Sequence, residues 1–230
     1  MINKDNLYIT IPLYNESKMI KKVLVELKKN GYRNIVVVDD GSRDSSYEAA
    51  RQMGVIVARH SVNRGQGAAI QTAVEIALSR GARYIVHFDS DGQHDVKDIG
   101  KMFQTLVLQD LDIVLGSRFL RKGNNVPLSK RILLRGGIVF TYVISGLWLT
   151  DVHNGIRVMT SETANKLDIQ YDRMEHASEI LDKVSKLKLN YKEVPVNIKY
   201  TRYSTGKDRG QSVFNSVSIA FNMVLSKITK

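Results

Sequence analysis

The sequence contains no cysteine. That excludes a disulfide framework, a thiolate metal site and a cysteine nucleophile, and it suits a reducing compartment. The N-terminus, Met1 to Asp5, lacks the apolar stretch of a secretion signal, so the reading is a cytoplasmic protein. Gly136 to Thr150 carries no charge, yet its 15 residues fall short of the roughly 20 that span a bilayer. Acidic residues are missing from Ile113 to Thr150, where Arg118, Arg121, Lys122, Lys130, Arg131 and Arg135 all fall. Asn63-Arg64-Gly65-Gln66-Gly67 lacks the Lys-Ser or Lys-Thr of a P-loop, and no Gly-x-Gly-x-x-Gly follows the first apolar run. A nucleotide-hydrolysing P-loop and a dinucleotide-binding dehydrogenase are therefore both disfavoured. No internal repeat or low-complexity segment is present.

What is there fits one α/β domain over 1–230. The chain has 230 residues, 43% of them apolar, enough for a sizeable core. Thirty-four Lys and Arg against 23 Asp and Glu leave a net charge of +11, which attracts phosphate-bearing partners or anionic surfaces. Short β-branched runs alternate with helical patterns: Leu7 to Ile11, Ile35 to Val38, Val55 to Val57, Tyr84 to Phe88 and Ile113 to Leu115. Ile20, Val23, Leu24 and Leu27 make one face of a helix from about Glu16 to Asn30, closed by Gly31. Continuous apolar strands separated by amphipathic helices imply a mostly parallel, Rossmann-like sheet covered on both faces. The second half is less regular. There, 128–150 is expected as an apolar helix that is either buried or laid at a membrane interface, and 212–230 as a C-terminal amphipathic helix packed on the domain.

In such a sheet ligands bind beyond the carboxyl ends of the strands. The strands end in Pro12-Leu13-Tyr14-Asn15-Glu16, Asp39-Asp40-Gly41-Ser42 and Asp89-Ser90-Asp91-Gly92-Gln93-His94. Any one of these is an ordinary turn, but three on one edge make a site. Asp89 and Asp91 repel each other, and a hard divalent cation relieves that repulsion. Magnesium or manganese would leave positions for two phosphate oxygens and act as a Lewis acid toward a departing diphosphate. Gly65 and Gly67 open a helix whose N-terminus would let a ligand approach closely and would favour an anion.

These motifs, in this order, resemble inverting glycosyltransferase family 2, whose fold is the nucleotide-sugar-binding GT-A fold. Gly116-Ser117-Arg118-Phe119, Asn154-Gly155-Ile156-Arg157 and Glu193-Val194-Pro195-Val196 resemble most closely the polyprenol-phosphate sugar synthases. The resemblance runs from about Ile9 to Gln211. It implies that Pro12, Tyr14, Glu16 and Asp40 hold the nucleoside, with Gly65 and Ser90 also on the donor side. Asp89, Asp91 and Gln93 would ligate the metal, Asp91 and Gln93 most directly. Arg118 and Arg131 would grip an acceptor phosphate. Arg202 and Lys207, in a lid over 201–211, would close on the donor phosphates. Glu179, more than Glu175, falls where related transferases place a catalytic or acceptor-binding carboxylate.

The expected activity is transfer of a sugar from a nucleotide-diphosphate sugar to a polyprenyl phosphate, at the cytoplasmic face of a membrane. A phosphate acceptor is ionised at neutral pH and needs no general base. The runner-up acceptor is a hydroxyl of a lipid-linked glycan in cell-surface polysaccharide assembly, which would need one. His153 to Arg157 and His176 to Glu179 look like that second group. A basic nucleic-acid-binding module is the remote reading; the acidic strand ends oppose it.

Overall fold

In the computed structural model of the protein, which describes residues 4–120, 146–152 and 154–199, seven strands form one sheet. The strands are β1 (Leu7–Leu13), β2 (Asn34–Asp39), β3 (Ile56–Arg59), β4 (Tyr84–His87), β5 (Ile113–Ser117), β6 (Arg157–Thr160) and β7 (Tyr191–Pro195). The helices are α1 (Ser17–Lys29), α2 (Ser46–Arg51), α3 (Gln66–Ser79), α4 (Val96–Leu108), α5 (Ser161–Leu167) and α6 (His176–Lys186). The sheet order is β3-β2-β1-β4-β6-β5-β7. All neighbours are parallel except β6, which runs antiparallel to both β4 and β5.

Strand alternation divides the core into two layers. Leu7, Ile9, Ile11 and Leu13 of β1, with Ile35 and Val37 of β2, pack on Ile20, Leu24 and Leu27 of α1 and on Ile99, Phe103 and Leu106 of α4. Tyr8 of β1, with Val36 and Val38 of β2, faces Ala69, Ala73 and Ala77 of α3 and Ile180 and Leu181 of α6. Both layers are buried to within a few per cent, which is why β1 and β2 read as unbroken apolar runs. Alanines along α3 let its backbone lie close to the sheet. Gly31, at φ +82°, ends the turn after α1 in a conformation that costs glycine nothing.

Pro12 sits in β1 without breaking the ladder. Thr10 points its carbonyl at β4, accepting from Phe88 N at 3.0 Å, and β4 ends there; Pro12, two residues on, faces the same side beyond the last rung. The expected apolar helix over 128–150 lies mostly outside the described residues. Its described end, 146–150, is not helical. Leu147 and Leu149 are buried there while Trp148 is exposed, an alternation of extended chain and not of a helix. Among the described residues no helix is long and apolar enough to cross a membrane.

Candidate active site

β1, β2, β3, β4, β5 and β7 all run the same way, so their carboxyl ends share one edge. β6 runs the other way and brings its approach, Asn154 to Ile156, to that same edge. Every motif picked out of the sequence as a strand end is therefore gathered on one rim.

At its left side the loops after β1 and β2 are laced together. Asn15 N donates to Ser42 Oγ at 3.0 Å, Arg43 N to Asn15 Oδ1 at 2.9 Å, and Glu16 N to Ser46 Oγ at 2.8 Å. A recess of about 610 Å3 opens beside them, lined by Tyr14, Gly41, Arg43, Arg59, His60 and Asn63 among others. Asp39 is buried behind two of these residues: its Oδ2 accepts from Ser42 N and forms an ion pair with Arg59 Nε, each at 3.2 Å. Its Oδ1 is buried with no partner among the described residues.

Asp40 does something different from what its motif suggests. Its Oδ1 accepts from His60 Nδ1 at 2.7 Å and Arg64 N at 3.0 Å; its Oδ2 accepts from Gly65 N at 2.7 Å and Asn63 Nδ2 at 2.8 Å. The carboxylate is thus the anion at the start of α3, supplied by the protein itself. The close approach permitted by the two glycines is likewise internal. A Cβ on Gly65, where φ is +129°, would lie 2.3 Å from the Asp172 carbonyl oxygen, and one on Gly67 2.1 Å from that of Tyr171. Ala68 N donates to Asp172 O at 3.1 Å. The space at this helix start is taken up by the 171–172 backbone and Asp40.

At the end of β4, Asp89 and Asp91 flank the buried Ser90. Asp89 is held on both oxygens, by Gln66 Nε2 at 3.1 Å and His94 Nε2 at 2.8 Å. A carboxylate only accepts, so His94 donates from Nε2, and its buried Nδ1 has no partner among the described residues. Burial opposes ionisation of Asp89, but the His94 hydrogen bond and the charge of Arg157 outweigh it and hold the carboxyl below its ordinary value. Asp91 goes the other way. Burial first, then the charge of Asp89, push it up to about 6, with Glu16 adding to the repulsion. Its Oδ1 accepts from Gln93 N at 2.9 Å; its Oδ2 accepts no hydrogen bond among the described residues.

This donor set fits a catalytic divalent cation better than a structural one. Among the described residues no three acids or histidines converge on one point. Magnesium-type sites use one or two carboxylates and leave the remaining positions to water and substrate phosphates. Asp91, repelled and with an open oxygen, would be the direct ligand; Asp89 is the oriented neighbour, and the Gln93 backbone N donates to Asp91. Beneath them, burial depresses His87 to about 3 and His176 to about 4, so both stay neutral under the charged rim.

At the right side of the rim, Arg118 follows β5 and is buried. Its backbone N and its Nε both donate to Asp151 Oδ2, at 2.9 and 2.7 Å. Nothing in the sequence pattern singled out Asp151. The available signal was that the acid-free stretch ends there.

Glu179 is turned inward. It accepts from Gln170 N at 3.0 Å and Tyr171 N at 2.9 Å and pairs with Lys183 Nζ at 2.8 Å. It therefore locks the loop that covers the start of α3. Glu179→Ala is expected to cost about 2 kcal/mol in chemical denaturation by stranding two amides and a lysine, while Glu179→Gln keeps most of the activity. A base would show the reverse: a dead Gln variant of unchanged stability. Arg131, Arg202, Lys207 and the 201–211 and 212–230 segments lie outside the described residues. Lys199, shortly before Arg202, is tied to the loop after β4, its N donating to Gln93 O at 2.8 Å.

Residues 8–166 match the sequence model described as glycosyl transferase family 2. An uncharacterised protein of Methanocaldococcus jannaschii is 42% identical over 99% of this chain and 94% of its own length. The UDP-N-acetylglucosamine–dolichyl-phosphate N-acetylglucosaminyltransferase of Methanococcus voltae is 34% identical over 97% of both chains. Among solved structures, glucosyl-3-phosphoglycerate synthase of Mycobacterium tuberculosis in complex with Mn2+, UDP and phosphoglyceric acid superposes with a TM-score of 0.67. It covers 94% of this chain and 78% of that one at 15% identity, a likeness of fold.

Proposed function

This chain belongs to glycosyl transferase family 2 and is a glycosyltransferase, and from that premise we propose that it moves a sugar from a nucleotide-diphosphate sugar to a polyprenyl phosphate, with inversion. Family membership removes the nucleic-acid-binding alternative. The observation that carries the acceptor reading is the pinned, buried Arg118 on the same rim as Asp89 and Asp91, combined with the inward turn of Glu179. A phosphate acceptor calls for a cation and no base, and the placement of Arg118 and the hydrogen-bonded Glu179 support that reading. The similarity to a dolichyl-phosphate transferase supports the same class.

In this reading the nucleoside lies in the recess by Tyr14, with Asp40 keeping the 60–65 loop in place. Asp91 and Gln93 would hold magnesium or manganese, which when bound offsets the charge growing on the leaving diphosphate. An oxygen of the acceptor phosphate, oriented by Arg118 and Arg131, forms the new bond to the anomeric carbon. The bond from that carbon to the diphosphate oxygen breaks, and the nucleoside diphosphate leaves with both electrons. Arg202 and Lys207 would close over it. A lipid acceptor puts this reaction at a membrane surface, on the cytoplasmic side where nucleotide sugars are made.

The test is release of nucleoside diphosphate from a panel of nucleotide sugars, starting with UDP-N-acetylglucosamine, with manganese and with or without short-chain polyprenyl phosphate. Release that depends on the lipid phosphate is expected. Equal release without it would transfer the proposal to a glycan hydroxyl.

The raised Asp91 adds a pH prediction. Proton and cation compete for the same carboxylate, so manganese affinity in calorimetry should be constant above pH about 6.5 and weaken below about 6, approaching tenfold per unit. Affinity unchanged down to pH 5 would remove Asp91 from the site.

A further inference from the structure

We propose that Asp151 is a positioning residue of the acceptor site, setting the guanidinium of Arg118, and that Glu193 on β7 holds Asp151 in turn. This rests on the reading of Arg118 as an acceptor-phosphate residue and goes one layer further out.

The geometry is specific. A single oxygen, Asp151 Oδ2, accepts from both the backbone N and the Nε of Arg118, and also from Asn154 Nδ2 at 3.3 Å. The Asp151 side chain is fully buried. Glu193 grips the segment that carries it: its carboxylate accepts from Thr150 N at 2.8 Å, Thr150 Oγ1 at 2.9 Å and Asp151 N at 3.1 Å. Thr150 Oγ1 also lies 2.6 Å from Ser117 Oγ at the end of β5. β5 and β7 are parallel neighbours, so residues 150–151 are sewn to both strand ends at once.

A carboxylate beside a phosphate-binding arginine weakens its field, so charge is not what Asp151 contributes. Its contribution is orientation. A free arginine side chain loses rotamer entropy when a ligand fixes it, and one fixed through Nε has already lost most of it before a ligand arrives. The cost of leaving Glu193 half-buried next to Asp151 is visible in its pKa, raised by burial. A family of contacts that brings two acids together to fix one arginine serves the arginine.

The experiment measures KM for short-chain polyprenyl phosphate and for the most active nucleotide sugar, in the full chain and in Asp151→Ala, Asp151→Asn, Glu193→Gln, Arg118→Ala and the Arg118→Ala/Asp151→Ala double variant. Asp151→Ala should raise the acceptor KM by about 30-fold and leave the donor KM within about twofold. Asp151→Asn, which keeps an acceptor oxygen, should recover part of the loss, and Glu193→Gln should cost about threefold. In the Arg118→Ala background Asp151→Ala should add nothing, because both act through one group. Equal rises in both KM values, or losses that multiply, would overturn the proposal. If Asp151→Ala does not fold, Glu193→Gln carries the test by the same split, and an unchanged acceptor KM overturns it. The two layers separate cleanly. A silent Arg118→Ala, or release independent of lipid phosphate in the parent protein, refutes the acceptor reading and this proposal with it. A sensitive Arg118→Ala with silent Asp151 and Glu193 variants refutes the positioning alone.

Discussion

Asp91→Asn should lose about a thousandfold or more in metal-dependent release of nucleoside diphosphate and, at the same time, melt at a higher temperature than the parent protein at pH 7. The two effects have one origin. Asp91 is held where burial and the charges of Asp89 and Glu16 oppose its ionisation, which raises its carboxyl to about 6. Unfolded, it titrates near 3.8, so at neutral pH the folded chain carries a charge that the unfolded chain bears more easily. Neutralising it with an amide of the same shape relieves the repulsion and keeps the acceptor for Gln93 N. The same change removes the open carboxylate oxygen that a divalent cation needs. Activity assays and thermal melts on one preparation decide the matter. An Asn variant that is both active and no more stable would show that the carboxylate neither bears strain nor binds metal.

Gly155→Ala should lower the turnover number about 100-fold with little change in melting temperature. Gly155 does not have a left-handed backbone, so alanine is not strained there by φ. The obstacle is in front of it. An added Cβ would lie 2.3 Å from Asp89 Oδ2, 3.0 Å from Cγ and 3.1 Å from Oδ1. A lone carboxylate would swing aside, but Gln66 and His94 each hold one oxygen, so moving it breaks hydrogen bonds that orient the pair. The loop after β4 shifts while the core layers remain. Manganese affinity by calorimetry should fall with turnover. Full activity in Gly155→Ala would mean that the exact seat of Asp89 is irrelevant to the chemistry.

Much of this could be read from the sequence. The apolar spacing of Ile20, Val23, Leu24 and Leu27 placed α1 within a residue or two, and the β-branched runs placed β1, β2, β4 and β5 as closely. These elements are set by periodicity and by turn residues over a few positions, which a linear chain displays. The acids at the strand ends were equally legible, because a strand that stops at Asp-Asp-Gly or Asp-Ser-Asp-Gly exposes them at one rim in any parallel sheet.

What the chain could not display is which group each acid answers to. Asp40 and Asp91 both look like ligands of a substrate; four hydrogen bonds bind the first to residues 60–65, and an open oxygen marks the second. Glu179 reads in the sequence as a catalytic or acceptor-binding carboxylate; in the fold Gln170 N and Tyr171 N donate to it. β6, four residues long and without periodicity of its own, is antiparallel only because β4 and β5 accept it that way. That insertion carries Asp151 and Gly155 to the rim, one against Arg118 and one against Asp89. Residue types and their local spacing determined the chemistry available to this protein. Its assignment to substrate or to scaffold was decided by contacts between residues far apart in sequence, whose energies depend on burial and distance that no local pattern encodes.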